Sequence, residues 1–122
     1  MLHGYDPVSY YLDQQPKMGD TAFQAEYQGG VYYFSTAHNR DLFNANQARY
    51  APAYGGFCSY GVRVGKKFDI DPLAWKIVDE VLYLQLDQGT HVVWDKDVGK
   101  NITIANWVWP RIRSQLATEL AQ

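Results

Sequence analysis

The chain has 122 residues, 47% of them hydrophobic and 16% aromatic, and a formal net charge of -2 from 11 basic and 13 acidic residues. This composition excludes a disordered body and suits one compact core. The near balance of charge supplies no cluster of Lys and Arg to displace counterions from phosphates, so nucleic acid is not expected as a partner. No run approaches the ~18 apolar residues of a membrane span.

In chain order, Asp6 followed by Pro7 reads as a helix cap and first helical position, which predicts a short helix over 7–12. "FQAEYQGGVYYFS" reads as two β-rich runs joined by Gly29-Gly30, a pair able to take the positive φ of a tight hairpin turn. "STAHNRDLFNANQARYAP" follows as a helix, with Ser35 or Thr36 as cap and Ala37, Leu42, Phe43 and Ala45 as a partial apolar stripe until Pro52. The stretch "GGFCSYGVRVGKKF" is open between a short helix and irregular chain, because four glycines weaken any regular assignment. "AWKIVDEVLYLQL" gives a second hairpin turning at Asp79-Glu80. From Gln88 onward two helices are predicted, broken near Gly99, with Asn101 or Thr103 capping the second and Pro110 inside or kinking it. The expected fold class is α+β: a small single domain of antiparallel β-hairpins packed against several short helices. No repeat, low-complexity tract or linker marks a boundary, so the domain is expected to span 1–122.

Cysteine usage narrows the chemistry. Cys58 is the only cysteine, which rules out an intramolecular disulfide and a Cys-only zinc site within one chain. A free cysteine is usually a small buried hydrophobe. Its alternative reading is a soft metal ligand or reactive thiol, and Arg63, Lys66 and Lys67 nearby are compatible with an electropositive setting. The three histidines, His3, His38 and His91, have no i, i+4 spacing, so any metal site must be assembled by the fold. Asp6 reads first as a cap and second as a carboxylate ligand or base. The many tyrosines serve a core more often than an aromatic pocket, although Tyr5 and Tyr60 are the candidate ligand-contacting rings. Phosphate-binding glycine loops and a nucleophile elbow are both missing from the sequence. The start, "MLHGYDPVSYYL", lacks the basic segment and long apolar region of a signal peptide.

The segments "GYDPVSYY", "YYFSTAHNRDLFNANQARYAPAYGGFCSYGV", "GKK", "DPLAWKIVDEVLYL" and "NWVWP", in this order, resemble the YHS domain family, in particular its longer bacterial stand-alone members. The resemblance implies a small α+β domain usually carried behind an export signal, hence a periplasmic or secreted location, although this chain shows no signal peptide. It also implies handling of copper or another soft metal. In the metal-handling relatives two cysteines stand where this chain has Ser35 and Asn39, and oxygen or amide groups there suit copper or zinc far less well than thiolates. The cysteine of the "GGFCSYGV" type is characteristic of the stand-alone members and corresponds to Cys58.

Together these readings give a small soluble binding module without obvious catalytic equipment, taking a metal ion, copper or zinc, or a small ligand near Cys58. His38 and His3 are the further metal candidates, and Tyr5 and Tyr60 the ring contacts. The alternative is a protein-interaction or structural module without metal, using Trp94, Trp107 or Trp109 as anchors for a partner or a second copy. A thiol-based redox protein is the third reading, weakened by the lack of a resolving cysteine.

Overall fold

The structure, a computed structural model, describes residues 2–120. The chain divides into two compact units: the residues up to Pro52 together with Ile77–Leu82, and Ala53–Lys76 together with the residues from Tyr83 onward. Both contain helices and antiparallel hairpin strands, the α+β class expected from the sequence.

In the first unit a 3-10 turn at Leu2–Gly4 leads into β1 (Tyr5–Asp6), which pairs antiparallel with β2 (Lys17–Met18), and α1 (Ser9–Leu12) lies between them. The helix starts two residues later than expected, because Pro7 and Val8 form a turn in which the Val8 and Ser9 N–H groups donate to the Asp6 side chain. β3 (Asp20–Tyr27) and β4 (Gly30–Phe34) form the expected hairpin, with Ala25 opposite Tyr32 and Tyr27 opposite Gly30. Its turn is Gln28-Gly29, with φ of 50° and 81°. Gly30 is the first strand residue and not the second turn residue, so Gln28 takes a left-handed conformation that glycine adopts more cheaply. Beside this hairpin Gly19 has no room for a side chain, since a Cβ would stand 2.5 Å from the Tyr33 carbonyl carbon.

The expected long helix is two: α2 (Ala37–Ala45) and α3 (Gln47–Tyr50), separated at Asn46, whose backbone is non-helical. Thr36 is the cap, its hydroxyl accepting from Asn39 N at 3.1 Å. The stripe of α2 is narrower than the sequence suggests, because only Asn39 and Phe43, four residues apart, are buried. Phe43 meets Phe34 and Tyr32 of β4 with ring centroids 5.1 and 5.3 Å apart. That contact between helix and hairpin is the core of the first unit. Burial raises the Tyr32 phenol to about 12.

The second unit begins with a 3-10 segment, Ala53–Gly56, and resolves the open glycine-rich stretch as helix α4 (Ser59–Arg63). β5 (Asp71–Val78) and β6 (Val81–Gln85) form the second hairpin with Asp79-Glu80 as its turn. Four successive β6 residues, Leu82 to Gln85, are buried, so both faces of this strand are covered. α5 (Gln88–Asp95) is capped by Asp87, which accepts from the Thr90 N–H at 2.7 Å and hydroxyl at 2.8 Å, and these bonds hold its carboxyl below the usual range.

α6 (Val98–Ile112) starts at cap Asp97, so the break falls before Gly99, and Gly99 lies inside the helix. Asn101 is no cap: its buried amide donates to Trp94 O at 2.9 Å, tying α5 to α6. Pro110 sits within the helix as expected. α4 packs on α6, and α7 (Ala117–Leu120) follows. Lys67 lies 5.4 Å from the ring centres of both Phe57 and Trp109 and donates to Arg113 O at 2.9 Å. A cation is favoured there by the exposed carbonyls at the end of α6. Among the described residues no helix is long and apolar enough to cross a membrane.

Candidate functional site

Two polar centres stand out, one in each unit. In the first unit the Asp6 side chain is fully buried. Its Oδ1 accepts from Val8 N at 2.8 Å and Ser9 N at 3.3 Å. Its Oδ2 accepts from Ser35 N and the Ser35 hydroxyl, both at 2.9 Å, and from Asn39 Nδ2 at 2.8 Å. Asp6 is therefore more than the cap of a first turn. It binds β1, the turn into α1, the end of β4 and the first turn of α2 to one carboxylate.

A buried carboxylate is tolerated when fixed donors replace its hydration, and five do so here. Ser35 and Asn39, the two positions at which the family resemblance places thiolates, both turn donors onto Asp6 Oδ2. Their polar atoms are engaged inside the protein. Ser9 completes the cluster, its hydroxyl donating to Asp6 O at 2.6 Å and accepting from Lys17 N at 2.9 Å, which closes β1 on β2.

In the second unit Cys58 has no exposed surface. It is the cap of α4, its sulfur accepting from Gly61 N at 3.4 Å. The sulfur also accepts from Leu86 N at 3.1 Å, just beyond β6, and donates to Gln85 Oε1 at 3.4 Å. Gln85 Oε1 in turn accepts from Tyr60 N at 3.0 Å. Burial pushes the thiol above its ordinary value of 9.0, and the Gly61 and Leu86 N–H groups offset part of that rise. The protonated, uncharged thiol is the resting form, which makes it a poor nucleophile and a poor ligand until a proton is removed. A Cβ on Gly61 would come 2.7 Å from the Phe68 ring.

The remaining expected site residues are spread over several elements. His3 is exposed in the opening 3-10 turn with φ of 52°. Tyr5 is half-buried on β1 opposite Met18. His38 is exposed on the first turn of α2. Tyr60 is half-buried on α4, with Arg63 stacked 5.5 Å from its ring centre. Among the described residues no group of three or more His, Cys, Asp or Glu side chains is arranged to hold a metal ion. His91 instead faces Asp95 at 3.3 Å, and Asp95 also pairs with Lys76 at 3.1 Å.

Of the three tryptophan anchors, Trp94 is fully buried and packs on Tyr83, Trp109 is half-buried against Tyr54 and Phe57, and Trp107 is 61% exposed. The Arg111 guanidinium lies 3.5 Å from the centre of the Trp107 ring. Tyr54, fully inside this aromatic group, donates its hydroxyl to Asn106 Oδ1 at 2.8 Å, and burial holds its phenol far above the usual range. Gln85, which sequence reasoning passed over, is the partner that ties β6 to α4; a glutamine ending an apolar strand run was its only signal.

A hairpin, a capped helix and a strand pair organised about one buried polar side chain define a small α+β module. A family model described as "YHS domain" matches residues 8–54, so this segment is similar to a YHS domain. The match ends where the first unit hands over to the second, so it contains Ser35, His38 and Asn39 and leaves out Cys58. No curated protein and no solved structure matches the chain.

Proposed function

We propose that the chain is a non-catalytic YHS-type interaction module that works without a metal ion at Cys58. The observation that carries this reading is the state of the only thiol: a fully buried sulfur, kept protonated by burial and already engaged with Gly61, Leu86 and Gln85. Copper or zinc at this point would require loss of the proton, of the α4 cap and of the cover over the sulfur. The Asp6 cluster supports the same reading from the first unit, because its oxygens are taken up by internal donors and its surroundings offer no thiolate. A periplasmic or secreted setting belongs to the proposal too, since a buried, protonated thiol resists oxidation.

Protein contact is favoured by Trp107, an exposed ring with a guanidinium laid over it, since Trp and Arg are both enriched at binding hot spots. α6 carries Lys100 and Arg111 and no acidic residue, so the partner is taken to present carboxylates. Elemental mass spectrometry of the purified chain, followed by copper(I) and zinc titration of wild type and Cys58→Ser, tests the first half. Stoichiometric binding that vanishes in the variant would reject the metal-free reading.

The two units are further proposed to unfold together as one domain over 1–122. The chain leaves the first unit at Pro52, returns for Ile77–Leu82 within the β5–β6 hairpin and leaves again, so neither unit is a continuous segment. A calorimetric enthalpy equal to the van't Hoff enthalpy is expected, and two resolved transitions would count against it.

A further inference from the structure

We infer that the hollow beside α3 and the β5–β6 turn, within the first unit, is a binding site for a small zwitterion of the α-amino acid type. It is a half-open hollow of about 250 Å³ lined by Ala48, Arg49, Ala51, Asp79, Glu80 and Val81. This lies just below the roughly 300 Å³ at which drug-sized sites begin, so its occupant is a small molecule.

The charges decide its class. The Arg49 guanidinium lies 5.3 and 5.0 Å from the ring centres of Tyr11 and Tyr50, which themselves meet edge to face. Two rings hold its plane. Nη1 is buried without a hydrogen-bond partner. Nη1 itself is sealed from the hollow, but the rest of this fixed guanidinium borders it and is suited to a carboxylate, the anion that arginine binds best. A partly buried cation without an anion is costly, and a bound carboxylate would relieve that cost.

Asp79 and Glu80 line the same hollow, and both are held at positive φ, 49° and 67°. A tight turn of this kind is cheapest as Asn-Gly. Two carboxylate residues in its place carry backbone strain, and strain of this sort gathers at ligand sites. A simple anion would meet their repulsion, and a simple cation would meet that of Arg49. A molecule with an ammonium next to a carboxylate satisfies both, and the apolar atoms of Ala48, Ala51 and Val81 leave room for a short side chain. This inference is independent of the interaction reading, which rests on α6 and Cys58.

The test is a ¹H–¹⁵N NMR titration of the full chain with glycine, L-alanine and L-leucine, with acetate and ethylammonium as single-charge controls. The amino acids should shift and saturate the amides of 48–51 and 79–81. Each control should bind at least about tenfold more weakly, as loss of one charge-assisted contact implies. Arg49→Gln and the double change Asp79→Asn with Glu80→Gly should each weaken binding by a similar factor. The double variant relaxes the turn, so its loss of binding is not a loss of fold. The inference is overturned if no amino acid moves those amides, if acetate or ethylammonium binds as well as glycine, or if binding survives both variants.

Discussion

Asp6 and Cys58 perform one task in two chemistries. Each is a buried side chain at the start of a short helix that also reaches a distant strand end: Asp6 to Ser35 after β4, Cys58 to Leu86 after β6. The carboxylate uses five short bonds between 2.8 and 3.3 Å. The thiol uses three weaker ones between 3.1 and 3.4 Å. A charge removed from water must be fully compensated, so the first unit is organised around satisfying Asp6. A thiol is nearly apolar, so the second unit can bury Cys58 as part of its core and draw on its hydrogen bonds as a minor gain. The difference predicts unequal consequences of disturbing each centre.

The largest effect is expected at Asp6. Asp6→Ala leaves the donors of Ser35 and Asn39 buried without an acceptor, at about 1–3 kcal/mol for each orphaned group, so the total should reach about 3 kcal/mol or more. Asn39→Ala removes one donor to a charged acceptor and should cost about 1.5–3 kcal/mol. Urea unfolding of both variants measures the ratio. Equal costs for Asp6→Ala and a matched Cys58→Ala would break the comparison.

Gly19→Ala is the next step down and is a control on packing without electrostatics. The added methyl would overlap the Tyr33 backbone, so β2 or β4 must shift, at about 1–3 kcal/mol. A change in the unfolding midpoint with an unchanged denaturant slope is the expected signature.

At Cys58 the expected cost is smaller. Cys58→Ser keeps a cap of similar shape and should lower stability by about 1 kcal/mol, within the ordinary range of buried polar changes. The pH dependence carries a sign of its own. The folded pKa values of Cys58, Tyr32 and Tyr54 are all raised by burial. Their contribution is full below the ordinary thiol and phenol values and is lost as pH rises from about 9 toward 12. Alkaline unfolding should therefore set in as the unfolded chain begins to release these protons, and Cys58→Ser should remove the earliest part. Alkylation of the folded chain by iodoacetamide at neutral pH should be far slower than after denaturation.

The element plan was legible in the sequence because hairpin turns and caps are local: Asp79-Glu80, Thr36 and Pro110 all act within a few residues of themselves. Errors arose where two local signals competed. Gly29-Gly30 looked like the turn pair, but pairing of Tyr27 with Gly30 moved the turn one residue back. Asn101 looked like a cap, but Asp97 took that place and freed Asn101 to bind Trp94 O. The candidate sites were less legible for a different reason. Asp6 with Asn39 and Cys58 with Gln85 are separated by 33 and 27 residues, and no periodicity records such pairs. Cys58 is singled out in the sequence by being alone, and of the glycines around it Gly61 serves the close fit of α4 under Phe68.

The smallest predicted effect tests whether strain in the first unit is functional. Replacing Asp79-Glu80 by Asn-Gly puts glycine at one left-handed position and Asn, which tolerates that conformation, at the other; relief of roughly 1–2 kcal/mol outweighs the roughly 0.4–1 kcal/mol that glycine costs through the freer unfolded chain. The variant should melt a few degrees higher than wild type, since a chain of this size shifts by roughly 3–6 °C per kcal/mol. It should leave the Asp6 and Cys58 centres untouched, as neither contributes to the turn. A gain in stability together with lost amino acid binding would show that the turn trades stability for a charged hollow. A gain without any change in binding would make the two carboxylates a surface detail and leave the buried anchors as the chain's principal polar features.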